Sequence, residues 1–264
     1  MKRRTEKFDP NESWTVTSRN ARREARVIEN HTEEHMENNT DRSNRVYISG
    51  KIIADAKPTH AAYGEQFYEF TIEIPRLSGQ SDRLPVTISE RLMGDRIKPG
   101  AEFCAIGQFR SYNKLDGEDG KSRLMLAVFV TEVLEAPISR IPNQILLSGY
   151  ICKPTIYRTT PLNREIADAL LAVNRAYNKS DYIPTIAWGR NARFMQELKV
   201  GDRITLVGRI QSREYVKQRP DGPRAMTAYE VSISKVMVSY GYDLCADLDD
   251  LGVKEFPEDQ RREQ

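Results

Sequence analysis

The chain has 264 residues, 39% of them hydrophobic, which is enough for one or two domains with real cores. No apolar run approaches the ~20 residues of a membrane helix, and the basic start "MKRRTEKFDP" has no apolar stretch behind it, so neither a membrane span nor a secretory signal is expected. The net charge of +2 is uneven: 12 Lys/Arg against 13 Asp/Glu in Asn44 to Glu135, 15 against 8 in Asn143 to Tyr240, and 3 against 8 in Gly241 to Gln264, so a basic body precedes an acidic tail and points to a polyanionic partner.

Residues 1–43 are charged, balanced in sign and poor in apolar groups, and are read as a disordered extension or a polar helix without an apolar face. Beyond them the chain repeats. "NRVYISGKI" from Asn44 returns as "NQILLSGYI" from Asn143, and "DRLPVTISE" from Asp82 returns as "DYIPTIAWG" from Asp181. "IKPGAEFCAIGQFRS" from Ile97 returns as "LKVGDRITLVGRIQS" from Leu198. The offset is 99 residues for the first two pairs and 101 for the third, too long for a solenoid and suited to a duplicated domain. "EAPISRIPNQ", with two prolines, reads as a short linker between copies at 44–136 and 143–240.

Each copy alternates at the period of a strand. Ala169, Leu171 and Val173 fall on one face of "ADALLAVNRAY". Ile204, Leu206 and Gly208 share a face of "RITLVGRIQSREY", with Arg203, Thr205 and Val207 on the other. Tyr229, Val231 and Ile233 share a face of the last strand, and Tyr229 is read as core. Gly149 and Gly208 inside strands mark bends or close backbone approach. One helical stretch, "NARFMQELK", stops at Gly201. About five strands and one helix per ~100 residues fit an all-β fold of two tandem five-stranded OB barrels. Pattern alone leaves another small barrel or an immunoglobulin-like sandwich open.

The segment "LAVNRAYNKSDYIPTIAWGR" mixes large aromatics with cations, and "GRIQSREY" continues the mixture. Together with the "KVGD" turn and "AYEVSISKV", these residues make the second copy resemble the bacterial single-stranded DNA-binding protein family, over about one hundred residues apart from a loop around "TTPLNREI". The first copy resembles it only in frame. The resemblance implies OB barrels, no enzymatic activity, no cofactor, a cytoplasmic place, assembly of four barrels (here a homodimer), and roles in replication, recombination or repair. A single strand presents flat bases and anionic phosphates, so a sequence-tolerant binder needs aromatic platforms mixed with cations. By that likeness Tyr177, Tyr182, Trp188 and Tyr215 are the stacking residues. Arg175, Lys179, Arg190, Arg209, Arg213, Lys217 and Arg219 are the phosphate contacts. Tyr182 and Trp188, six residues apart, face the same way if their strand is regular, though Pro184 lies between them.

In the first copy Ser89 stands where Trp188 does, Arg83 where Tyr182 does, and Tyr112 falls near the place of Tyr215. That copy is expected to bind weakly and to serve as scaffold or oligomer interface. Tyr63, Phe67 and Tyr68 are read as core. The acidic tail departs from the family's hydrophobic ending: Phe256 and Pro257 are followed by a polar, basic end, so the resemblance leaves replication or repair proteins open as partners, and covering the basic face or aiding solubility are the other roles for the tail. "HTEEH", His31 to His35, spells a zinc-protease pattern but lacks an apolar face and a third ligand. "LDGEDGKS", Leu115 to Ser122, lacks the first glycine of a phosphate loop and reads as a hairpin tip. Rival readings are a replication accessory module of the same fold and a binder of single-stranded RNA.

Overall fold

The computed structural model describes residues 43–62, 64–94, 97–115, 122–175, 178–219 and 222–239. The expectations for the N-terminal extension, the "HTEEH" run and the acidic tail lie outside those residues. Twelve strands form one sheet. In the first copy they are β1 (Asn44–Ile52), β2 (Lys57–Ala62), β3 (Glu65–Pro75), β4 (Ser81–Ser89), β5 (Glu102–Leu115) and β6 (Ser122–Leu134). In the second they are β7 (Asn143–Ile151), β8 (Ile156–Thr159), β9 (Glu165–Arg175), β10 (Lys179–Trp188), β11 (Arg203–Arg219) and β12 (Gly222–Val238). Five strands close each ring: β1 pairs with β3 and β5, β3 with β4, β5 with β6, and β4 with β6 in parallel. The second ring repeats these pairings with β7, β9, β10, β11 and β12. This is the expected five-stranded barrel. Each copy adds a sixth strand outside the ring, β2 on β3 and β8 on β9, which the alternation pattern had not separated from its neighbour.

The alternation has the expected consequence. Ala169, Leu171, Val173, Ile204, Leu206, Ile210, Val231 and Ile233 are buried in the main core, and Tyr229 packs against it half-buried. The helix α1 (Arg190–Gln196) plugs the second barrel with Ala192 and Met195, three residues apart and so on one face. The first copy has only a 3-10 turn, Glu90–Leu92, at the corresponding place. The change of repeat offset from 99 to 101 falls here, so the two extra residues of the second copy are what lengthen the turn into a helix.

Both expected glycine contacts are present. A Cβ on Gly149 would lie 2.5 Å from the Ala172 carbonyl oxygen, and one on Gly208 2.3 Å from that of Ser232. Gly208 sits at a β-bulge, and the first copy repeats the bulge at Gly107. Gly208→Ala is therefore expected to cost about 1–2 kcal/mol, because backbone rather than a flexible side chain must move. A urea midpoint unchanged from that of the parent protein would contradict this.

The copies are joined by antiparallel pairing of β1 with β7, and the pair Val46 and Ile145 lies on a pseudo-two-fold axis. Contacts on either side of the axis repeat. Asp82 accepts the Ser212 N–H at 2.8 Å, and the Arg83 N–H donates to Ser212 Oγ at 2.9 Å. On the other side Asp181 accepts the Ser111 N–H at 2.7 Å, and the Tyr182 N–H donates to Ser111 Oγ at 2.8 Å. The linker is packed rather than loose. Ile138 lies against a second apolar cluster of Tyr47, Cys104, Ile106, Leu134 and Leu146, and its N–H donates to the Tyr47 hydroxyl at 3.2 Å.

Candidate nucleic-acid interface

Strand β10 runs beside β9 from Lys179 to Trp188 without a register shift, so Pro184 does not spoil the alternation. Asp181, Ile183, Thr185 and Ala187 are buried on the barrel side. Tyr182 and Trp188 share the outer face, and at ~3.3 Å per residue they stand about 20 Å apart along the strand. Tyr182 is half-buried, whereas Trp188 is 40% exposed. That exposure separates Trp188 from a core tryptophan. Gly189, at φ 53, then turns the chain into α1, where Arg190 is exposed.

On β11, separated from β10 by β12, Arg209, Gln211, Arg213 and Tyr215 alternate onto one face. The Arg213 guanidinium lies 5.8 Å above the half-buried Tyr215 ring, a cation–π arrangement that holds both side chains in place. Lys217 is half-buried and Lys179 exposed. Tyr177 lies outside the described residues, and Arg219 is described only in its backbone.

Two of the expected phosphate contacts belong to the joint between the copies. Arg209 donates to Asp82 at 2.9 Å and to Gln211 at 3.0 Å, and Arg175 donates to Asp181 at 3.4 Å. Asp82 is also held by Arg76. These carboxylates come from strand starts in β4 and β10, and Arg209 meets one lying 127 positions away in sequence.

The sequence reading missed three further groups on this face. Arg158 of β8 donates to Asp168 of β9 at 2.9 Å. Glu230 of β12 accepts from Gln211 at 2.7 Å and lies 3.9 Å from Arg213. Asp168 and Glu230 are buried, and burial pushes both carboxyls above the ordinary carboxylate range, against the pull of the nearby Arg158 and Arg213. A charged residue set among apolar ones, as in "IADALL" and "AYEVSI", was the available signal. Nothing in the short "IYRT" strand set Arg158 apart.

The first copy's outer face is built differently. The register confirms that Ser89 stands where Trp188 does, since Ser89 faces Phe67 as Trp188 faces Ile166. Tyr68 packs on the barrel core as expected, and Phe67 is buried too, though outside that cluster: its ring stacks on His60 at 5.0 Å and lies 5.6 Å from Phe129 on the outer face. The odd parity of Phe67 against Phe70 and Ile72 is the reason. Arg110 covers the Phe129 ring at 3.7 Å. Tyr112 is 43% exposed and corresponds to Arg213, one outward position before Tyr215.

The sequence of residues 142–239 matches the model of the Single-strand binding protein family. The second copy is thus similar to that family over its whole length. Single-stranded DNA-binding protein 3 of Streptococcus agalactiae serotype V is 33% identical over 84 residues, covering 29% of this chain and 61% of that protein. Single-stranded DNA-binding protein 1 of Staphylococcus aureus is 34% identical over 83 residues, covering 29% of this chain and 50% of that protein. The chain thus spans between half and two thirds of the length of these curated relatives. The crystal structure of wild-type single-stranded DNA binding protein from Thermus aquaticus matches with a TM-score of 0.56 at 19% identity, over 75% of this chain and 93% of that one. A match over three quarters of the chain reaches across both copies, and it carries the tandem fold. Among the described residues no cluster of ligating side chains suits a metal, and no helix is long and apolar enough to cross a membrane.

Proposed function

We propose that the protein binds single-stranded DNA without catalysis, and that the outer face of the second copy carries the contact. The observation behind this reading is the exposed Trp188, which shares one face of a regular strand with Tyr182 and is flanked by the exposed Lys179 and Arg190. Aromatic planes accept any base, and the cations follow the phosphates. Neither cysteine in the described residues suits a nucleophile: Cys104 is buried, and burial pushes the Cys152 thiol up to about 11. Two chains are proposed to assemble into four barrels, for which light scattering near twice the 30.3 kDa chain mass is the expected result. A cytoplasmic role in replication, recombination or repair, with the partners that work there, is proposed from the likeness to that family.

The reading is tested by fluorescence titration of Trp188 in a Trp14→Phe background with poly-dT, poly-U and duplex DNA. Quenching by poly-dT well below the concentration of duplex needed is expected; preference for poly-U would move the assignment to RNA, and preference for duplex would sink it. Because Arg175 and Arg209 are tied to the joint, five of the seven expected phosphate contacts remain, so log affinity should fall with log salt at a slope no steeper than about −3.5 per barrel. A slope near zero would exclude phosphate contact.

A further inference from the structure

Two buried carboxylates in the middle of a face meant for a polyanion require an explanation. Asp168 lies opposite Ile186, Glu230 is buried two residues before Ser232, which pairs with Ile186, and Trp188 and Tyr182 flank these positions on β10. Around them stand Arg158 from β8, Arg213 from β11, and Gln211, which links Glu230 to Arg209 and so to Asp82 and Arg76 of the first copy. β10 contributes Pro184 and Ile186, which carry no charge. The result is a continuous row of guanidiniums and carboxylates from the edge strand β8 to the joint between the copies.

Resting on the reading of this face as a single-strand interface, we propose that Arg158 is a further phosphate-binding residue, and that Asp168 and Glu230 are positioning residues that hold Arg158 and Arg213 on the protein in competition with phosphate. Arg158 is 40% exposed and Arg213 45%, while their partners are 4% and 8% exposed. The cations therefore face solvent and the anions lie beneath them. An incoming phosphate meets guanidiniums that are already ordered but partly neutralised. Neutralising the acid beneath releases the full charge above it. Burial raises both carboxyls from their ordinary values, so on acidification they are neutralised before ordinary exposed carboxylates of the same type. Affinity for a single strand therefore climbs as pH falls through that raised range and levels off below it.

The test uses the full-length protein and a dT oligonucleotide, with Asp168→Asn, Glu230→Gln and the double variant Asp168→Asn/Arg158→Gln. At about pH 7.5 the two single variants are expected to bind about three- to tenfold tighter than wild type, with a salt slope steeper by about 0.7 for each released guanidinium. Wild-type affinity should approach theirs as the pH falls, while each variant loses its share of the pH dependence. The double variant should lose the gain of Asp168→Asn, which a merely structural role for Asp168 would not produce. Near-isosteric changes keep the fold, and circular dichroism checks it; if one variant is unfolded, the other decides. Folded variants with wild-type affinity, salt slope and pH profile overturn the positioning role while leaving the single-strand reading intact. Wild-type protein that binds no oligonucleotide at any pH overturns both.

Discussion

Replacing Asp82 by alanine is expected to lower stability by about 3 kcal/mol. The side chain is 2% exposed and accepts from Arg76, Arg209 and the Ser212 N–H. Its removal leaves two guanidiniums facing each other and a backbone donor without its acceptor. Full burial of an unpaired charge costs about 3–5 kcal/mol, and the lower end applies because Arg209 is 37% exposed and can turn to water. Asp181→Ala at the mirrored site should cost less, about 1–2 kcal/mol. There the ion-paired guanidinium, that of Arg175, approaches only to 3.4 Å, Arg110 acts through space, and burial raises the Asp181 carboxyl from its ordinary range all the same. A carboxyl with a raised folded-state pKa adds stability that is present at low pH and is lost as pH rises through that range, so at neutral pH the Asp181 charge partly opposes folding. Urea midpoints of the two variants measured side by side check this. Equal losses would mean that the second guanidinium at Asp82 contributes nothing.

Trp188→Ala is expected to weaken single-strand binding by about 1–3 kcal/mol and leave the fold intact. With 40% of its surface in water, the indole is not part of either apolar cluster, so the 3–5 kcal/mol stability loss typical of truncating a core aromatic is not expected. Affinity for a dT oligonucleotide and the urea midpoint should be measured on the same variant. A lowered midpoint with unchanged affinity would return Trp188 to a structural role.

Most of the barrel was legible because its determinants are local. Alternation placed Ala169, Leu171 and Val173 inward, and the glycines of two repeated bulges fixed where the strands coil. The outward aim of Tyr182 and Trp188 followed from parity alone. Arg209 was harder, because its carboxylate, Asp82, comes from the other copy, and such a contact leaves no periodic mark in the sequence; Arg175 meets Asp181 only six positions on, across the β9–β10 hairpin. The same holds for Asp168 and Glu230: their position in the strand was visible, but the arginines that cover them come from β8 and β11. Phe67 is buried as expected, but its parity puts it against His60 and Phe129 rather than with Phe70 and Ile72.

The joint through β1 and β7 has a consequence for how the two halves can diverge. In a dimer of identical chains every substitution at a two-fold interface is made twice, so a contact can change only if its mirror image tolerates the same change. Here the mirrored contacts are encoded separately, and they already differ: Asp82 holds two arginines where Asp181 holds one. The eight residues between β6 and β7 also keep the halves at an effective concentration on the order of millimolar, so the joint stays closed at chain concentrations where two separate barrels would part. One half can thereby carry Ser89 at the position of Trp188 and set Phe67 beside Phe129, while the other leaves Trp188 exposed.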